Sequence, residues 1–134
     1  MSTNYEWLEP DGLGGFASHT STLRRTRRYH SLLLVARNPP AERRVLVNGF
    51  DAVVNTESER LALTSQTYRP EEGGETPLVR HEGRPTDASF EHTPWPTWTY
   101  ALEPGQAIEH SIMVVHGSPL VILSWRLTGV RRGP

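Results

Sequence analysis

Eleven prolines and eleven glycines interrupt the 134 residues, about one in every six positions. Proline removes a backbone donor and fixes φ, and glycine weakens a helix interior. A chain punctuated this often cannot carry long helices. It is expected to fold as short strands joined by turns. The length suits one domain with a real core. Cysteine is absent, which excludes disulfides and thiolate metal sites. No apolar run approaches the roughly 20 residues of a membrane helix. Residues 1–10 lack the basic-then-apolar order of a secretory signal. A soluble cytoplasmic protein is the expectation. All 14 basic residues are arginine, which a GC-rich genome explains more simply than selection at each site.

Taken in order, residues 5–8 read as a short strand or an extended arm. Residues 29–37 read as a strand buried on both faces, stopped by Pro39 and Pro40, which limit ladder pairing. Residues 44–55 form the next strand region. Asn48 and Gly49 are either a hairpin turn or a bulge in one longer strand; the bulge is favoured, because residues 60–64 then supply a hairpin partner. Residues 66–84 read as a mobile loop, and residues 88–92 as a short strand. Residues 97–102, 107–116 and 120–127 read as a three-stranded antiparallel meander. Pro104 and Gly105 would take the central positions of a type II turn. The continuous apolar character of residues 120–127 predicts a central strand. No internal repeat or amphipathic helix is visible.

Residues 11–34 are the densest stretch. They hold three glycines, then Arg24, Arg25, Arg27 and Arg28, then Tyr29, His30 and an apolar run. Three readings compete. A phosphate cradle would need a strand before Gly12 and a helix after it, and neither is evident. A nucleic-acid patch would be local only, since the chain has a net charge of -1. The plainer reading is structural: a glycine turn, followed by arginines paired with acidic residues or with a neighbouring domain.

A family resemblance changes the weighting. Glu6, Trp7 and Leu8, the DGLGGFAS segment at residues 11–18 and the TRRYHSLL segment at residues 26–33 resemble the N-terminal domain of glycogen debranching enzymes of the bacterial and archaeal type. Those enzymes carry Glu-Trp-Leu, then (Asn/Asp)-Gly-Leu-Gly-Gly-(Tyr/Phe)-Ala-Ser, then Thr-Arg-Arg-Tyr-His-Gly-Leu-Leu. Two positions depart: Asp11 stands where Asn is common, and Ser31 where Gly usually follows the histidine. The resemblance returns at Pro96, Trp98 and Tyr100, near His116 and Gly117, and along residues 120–127. Residues 57–91 are only generally similar, and residues 130–134 do not continue the pattern.

The resemblance implies an all-β fold, an antiparallel β-sandwich (supersandwich-like) or part of one, spanning residues 1–134. It also implies a parent amylo-α-1,6-glucosidase whose catalytic carboxylates lie on an (α/α) barrel C-terminal to this domain. The chain alone is then expected to be non-catalytic. The family's sandwich is longer, so open strand edges and self-association are expected. Contact candidates, for the barrel or for substrate, are Asp11, Gly14, Gly15, Arg27, Arg28, Tyr29, His30, Trp95 and Trp98. The implied partners are the barrel and α-glucan or glycogen, with no nucleic acid, membrane, metal or cofactor.

Other constellations are weaker. The acidic residues are scattered, or sit in the loop holding Glu71, Glu72 and Glu75, so no carboxylate pair stands out for glycoside hydrolysis. Asp11 and Asp51 are better placed, yet a turn role suits Asp11. His19, His30, His81, His92, His110 and His116 show no metal spacing. His30 is either an interior strand histidine or a group near substrate. No Ser-His-Asp pattern is present. Trp95, Trp98 and Tyr100 either stack on sugar rings or fill a core. The rival functional reading is a free-standing carbohydrate-binding or protein-interaction module.

Overall fold

The computed structural model describes residues 5–58, 60–64, 66–68, 78–80, 88–102 and 105–129. Among the described residues twelve strands follow one another: β1 (Glu6–Pro10), β2 (Phe16–Thr20), β3 (Ser31–Asn38), β4 (Ala41–Val47), β5 (Val53–Asn55), β6 (Arg60–Ala62), β7 (Gln66–Tyr68), β8 (Leu78–Arg80), β9 (Ser89–Glu91), β10 (Thr97–Ala101), β11 (Ala107–Val114) and β12 (Val121–Thr128). One four-stranded sheet has the order β1-β2-β3-β4 and the other β12-β11-β10-β9. β5–β6 and β7–β8 are two-stranded. Every pairing is antiparallel and joins strands consecutive in the chain. The fold is all-β and sandwich-like. No helix among the described residues is long and apolar enough to cross a membrane.

Alternation builds the core. In β10, Trp98 and Tyr100 are buried while Thr97 and Thr99 are not, as a period of two requires. Trp98 meets Trp7 of the first sheet edge to face, with ring centroids 5.9 Å apart and planes at 71°. Ala17, Leu23, Leu32, Leu63, Tyr100 and Ile112 complete the cluster. Both indole N–H groups are satisfied: Trp7 Nε1 donates to the Thr20 carbonyl at 3.2 Å and Trp98 Nε1 to the Ser21 carbonyl at 2.6 Å. Across the second sheet the register aligns Trp98, His110 and Trp125. Their rings stack at 5.3 and 4.5 Å, and His110 Nδ1 donates to the Ser124 carbonyl.

Several local expectations change. The strand of residues 29–37 begins only at Ser31, because Tyr29 and His30 belong to the preceding loop. The strand does stop before Pro39 and Pro40, as expected; the two prolines form the tip of the β3–β4 hairpin, and the chain turns straight back at Ala41. Asn48 and Gly49 are neither a hairpin turn nor a bulge. There the chain leaves the first sheet after Val47 and next pairs at Val53, with β6 as its partner. Residues 66–84 include β7 and β8, whereas residues 69–77 and 81–87 lie outside the described residues. Pro104 also lies outside them; Gly105 has φ of +85°.

The meander is present, but β12 is an edge strand and not a central one. Its apolar run reflects both faces, yet Ile122, Trp125 and Leu127 are 40, 46 and 52 % exposed. Trp125 and Leu127 share the core-side face with the buried His110 and Trp98. That face is covered at β10 and β11 and, at β12, around Val121 and Leu123; it opens toward Trp125 and Leu127, where Phe50 meets the Trp125 ring edge to face. An eight-residue apolar edge is a template for pairing with another strand. The isolated chain should therefore associate as its concentration rises in analytical ultracentrifugation, and Ile122→Lys with Leu127→Lys should shift it toward monomer. A wild-type chain that stays monomeric at every concentration would count against this.

Candidate functional site

The glycine motif is the β1–β2 hairpin turn. The Asp11 carboxylate accepts from the amides of Leu13 at 2.7 Å and Gly15 at 3.0 Å, and the Asp11 amide donates to the Gly15 carbonyl. Gly12 and Gly14 have φ of +80° and +97°, a region that side chains disfavour. Their bare Cα atoms also permit close packing. A Cβ at Gly12 would strike the His116 ring, and one at Gly14 would sit 2.7 Å from the Pro40 carbonyl oxygen. The Gly117 amide donates to the Asp11 carbonyl at 2.6 Å. The turn thus ties the first sheet to the β11–β12 turn and to the β3–β4 tip. Asp11 is buried within it.

An Asn at position 11 offers the same accepting oxygen, so Asp11→Asn should fold normally. Asp11→Ala strands two amides and should cost about 2 kcal/mol in urea unfolding, the usual penalty for unsatisfied buried donors.

Residues 21–30 fold back over the edge strand β1. Thr20 Oγ1 donates to the Arg24 carbonyl and accepts from the Arg24 amide, closing a tight turn. Leu23, at φ of +56°, is buried in the core and pins that turn. His30 closes the loop. Its Nδ1 accepts from the amides of Thr26 and Arg27 at 3.1 and 3.2 Å. An atom facing two donors must be unprotonated, so the proton sits on Nε2. That nitrogen lies 3.2 Å from Glu6 Oε1, to which it donates. The Arg27 fork grips the same carboxylate through Nε and, at 2.9 Å, through Nη2. The hydrogen bond from Arg27 pulls the Glu6 carboxyl below its ordinary range. Burial pushes the His30 imidazole down, against the pull of Glu6.

This cluster lines a cleft of about 520 Å³ along β1. Trp7, Leu8, Phe16 and the ring of Tyr29 supply apolar wall. His92 stands at its margin, 3.0 Å from Glu9 Oε1. The Arg28 guanidinium lies over the Tyr29 ring, 5.7 Å from its centroid, and Arg25 Nη2 donates to the Arg28 carbonyl.

The description Glycogen debranching enzyme N terminal matches residues 5–134. The chain belongs to that family. No curated protein and no solved structure matches it.

The debranching-family motif therefore separates into two parts in space. Asp11, Gly14 and Gly15 make the β1–β2 turn, in which Asp11 and Gly15 are buried, whereas Arg27, Tyr29 and His30 meet at the cleft with Arg28 beside them. Trp98 is fully buried and offers no ring face to solvent, whereas Trp95 is 39 % exposed. Sequence reasoning met Glu6 only as the start of the family motif and His92 only among the six histidines, and counted neither as a contact candidate. Glu6 stands 21 residues before Arg27, and only the fold over β1 joins them.

His19, in β2, stacks on His30 at 5.5 Å. Burial first, and the neighbouring His30 second, lower its pKa from 6.5 to about 4. Above pH 6.5 both folded and unfolded chains hold it neutral and the stability is complete. As pH falls from 6.5 to about 4, the unfolded chain takes a proton that the folded one refuses, so stability is lost over that window. The loss should be about 3 kcal/mol, read from urea midpoints, with His30 and His110 shifting in the same direction. His19→Gln should flatten the slope.

Proposed function

We propose that this chain is the N-terminal, non-catalytic domain of a cytoplasmic glycogen-debranching glycoside hydrolase acting on α-1,6 branch points. In this reading it docks on an (α/α) barrel that carries the catalytic carboxylates. The observation behind it is the state of Glu6, the carboxylate lining the cleft. A glycosidase acid needs a raised pKa and a second carboxylate across the scissile bond. Glu6 is shifted the other way and is held by Arg27 and His30. Asp11 is bound to backbone amides, Glu9 meets His92, and Glu109 meets Arg126. These groups hold structure together. The exposed faces of Arg27, Arg28 and Tyr29 carry forked donors and an aromatic ring, which suit contact with a second surface.

Exposed Tyr29 and Trp95 favour one other reading, a free-standing carbohydrate-binding module. Two measurements decide. Purified chain incubated with branched α-glucan should release no glucose, and release would overturn the non-catalytic reading. An immunoblot of the native cells should show a band well above 15.1 kDa. A band at that mass would replace the docked domain with the free-standing module.

A further inference from the structure

We propose that the edge strand β4 is a docking edge for an extended acidic segment of another protein, with carboxylates set against Arg43 and Arg44 and aliphatic side chains against Val45, Leu46 and Val47. This surface is separate from the cleft along β1, none of whose lining residues belongs to β4. The proposal does not rest on the function proposed above.

Among the described residues β4 has β3 on one side and no strand on the other, and all seven of its residues are exposed. An edge strand turns unpaired N–H and C=O groups outward, where an extended chain can meet them. Charge decides which chain. Residues 37–47 hold three arginines and one glutamate, in a chain of net charge -1. Among the described residues Arg37, Arg43 and Arg44 hold no carboxylate, whereas Arg27 holds Glu6 and Arg126 holds Glu109. Their guanidinium forks are open to carboxylates, which such a fork takes two bonds at a time.

The rest of the strand is apolar. Val45, Leu46 and Val47 are 37, 60 and 40 % exposed. Leu33 pairs with Val47 and Leu34 with Val45, so Leu46 is the extra residue of a bulge. A bulge re-aims a side chain, and Leu46 is the most exposed of the three. An exposed aliphatic patch rimmed by charge marks an interaction surface. The order along β4 also sets the partner's order. An antiparallel segment must carry its aliphatic residues first and its acids after them.

Two other occupants fit less well. Glu42 is the single acid of β4. Antiparallel pairing with a second copy sets Glu42 against Arg44 only where Arg43 faces Arg43, and against Arg43 only where Val45, Leu46 and Val47 are left over. Like charges directly opposite are destabilising. Single-stranded nucleic acid would find no aromatic ring for a base to stack on in residues 37–47.

The test is fluorescence anisotropy of the purified chain with a labelled synthetic peptide. Its N-terminal half is valine and threonine, and its C-terminal half is glutamate and threonine. Saturable binding is expected, weakened by added salt. Arg43→Glu combined with Arg44→Glu should weaken it about tenfold or more, the loss expected for charge-assisted hydrogen bonds. Leu46→Ser should weaken it as well, with an unchanged urea midpoint, because the side chain is exposed. The same peptide with lysine in place of glutamate should not bind. The proposal is overturned if the acidic peptide shows no saturable binding, if the lysine peptide binds as tightly, or if oligothymidylate binds more tightly than the acidic peptide. It is also overturned if binding survives the two arginine changes and is lost instead in Ile122→Lys with Leu127→Lys, which would move the site to β12.

Discussion

The contact between Trp7 and Trp98 is the point on which the two main sheets turn. A T-shaped indole pair contributes about 0.5–1.5 kcal/mol beyond its buried area. Its larger effect here is placement. Each indole donates to one of two consecutive carbonyls, Thr20 and Ser21. The chain leaving β2 is therefore fixed at the seam between the sheets. From that fixed point the arginine loop must run back over β1, since Leu23 is buried in the same core. The cleft is a consequence of this seam.

The Asp11 turn supports the same arrangement from the other end of β1. It joins the first sheet to the second through Gly117 and packs under His116. Glycine here serves close approach within the molecule, not a cradle for phosphate. The charged groups follow a similar logic. Glu6 satisfies a guanidinium and an imidazole whose other nitrogen is already held by backbone. One carboxylate thus orders a ten-residue return of chain, and it also leaves the cleft close to neutral.

Much of the fold was legible because β-structure has a short period. Alternation placed Trp98 and Tyr100 on one face, and the turn residues marked the meander. The errors came where a local pattern has more than one tertiary use. Asn48 and Gly49 carry a hairpin signal, but they lie where the chain passes between sheets. The apolar run of β12 looked central, but a strand's neighbours do not appear in its own sequence. Among the site residues, the Tyr29–His30 pair drew notice through its composition and its family motif. Glu6 belongs to the same motif, but its pairing was not legible, because its partners are 21 and 24 positions away.

By itself, the sequence determined the strand class, the debranching-enzyme family and the need for glycine at a tight turn near residue 12. These depend on backbone sterics and on the order of residue types, which are local properties. Only the tertiary structure decided that Trp98 is enclosed, that β12 lies at an edge, that His30 is held neutral as the Nε2–H tautomer, and that Glu6 faces Arg27. Each of those depends on which distant groups share a neighbourhood, and burial and ion pairing take their strength from that neighbourhood.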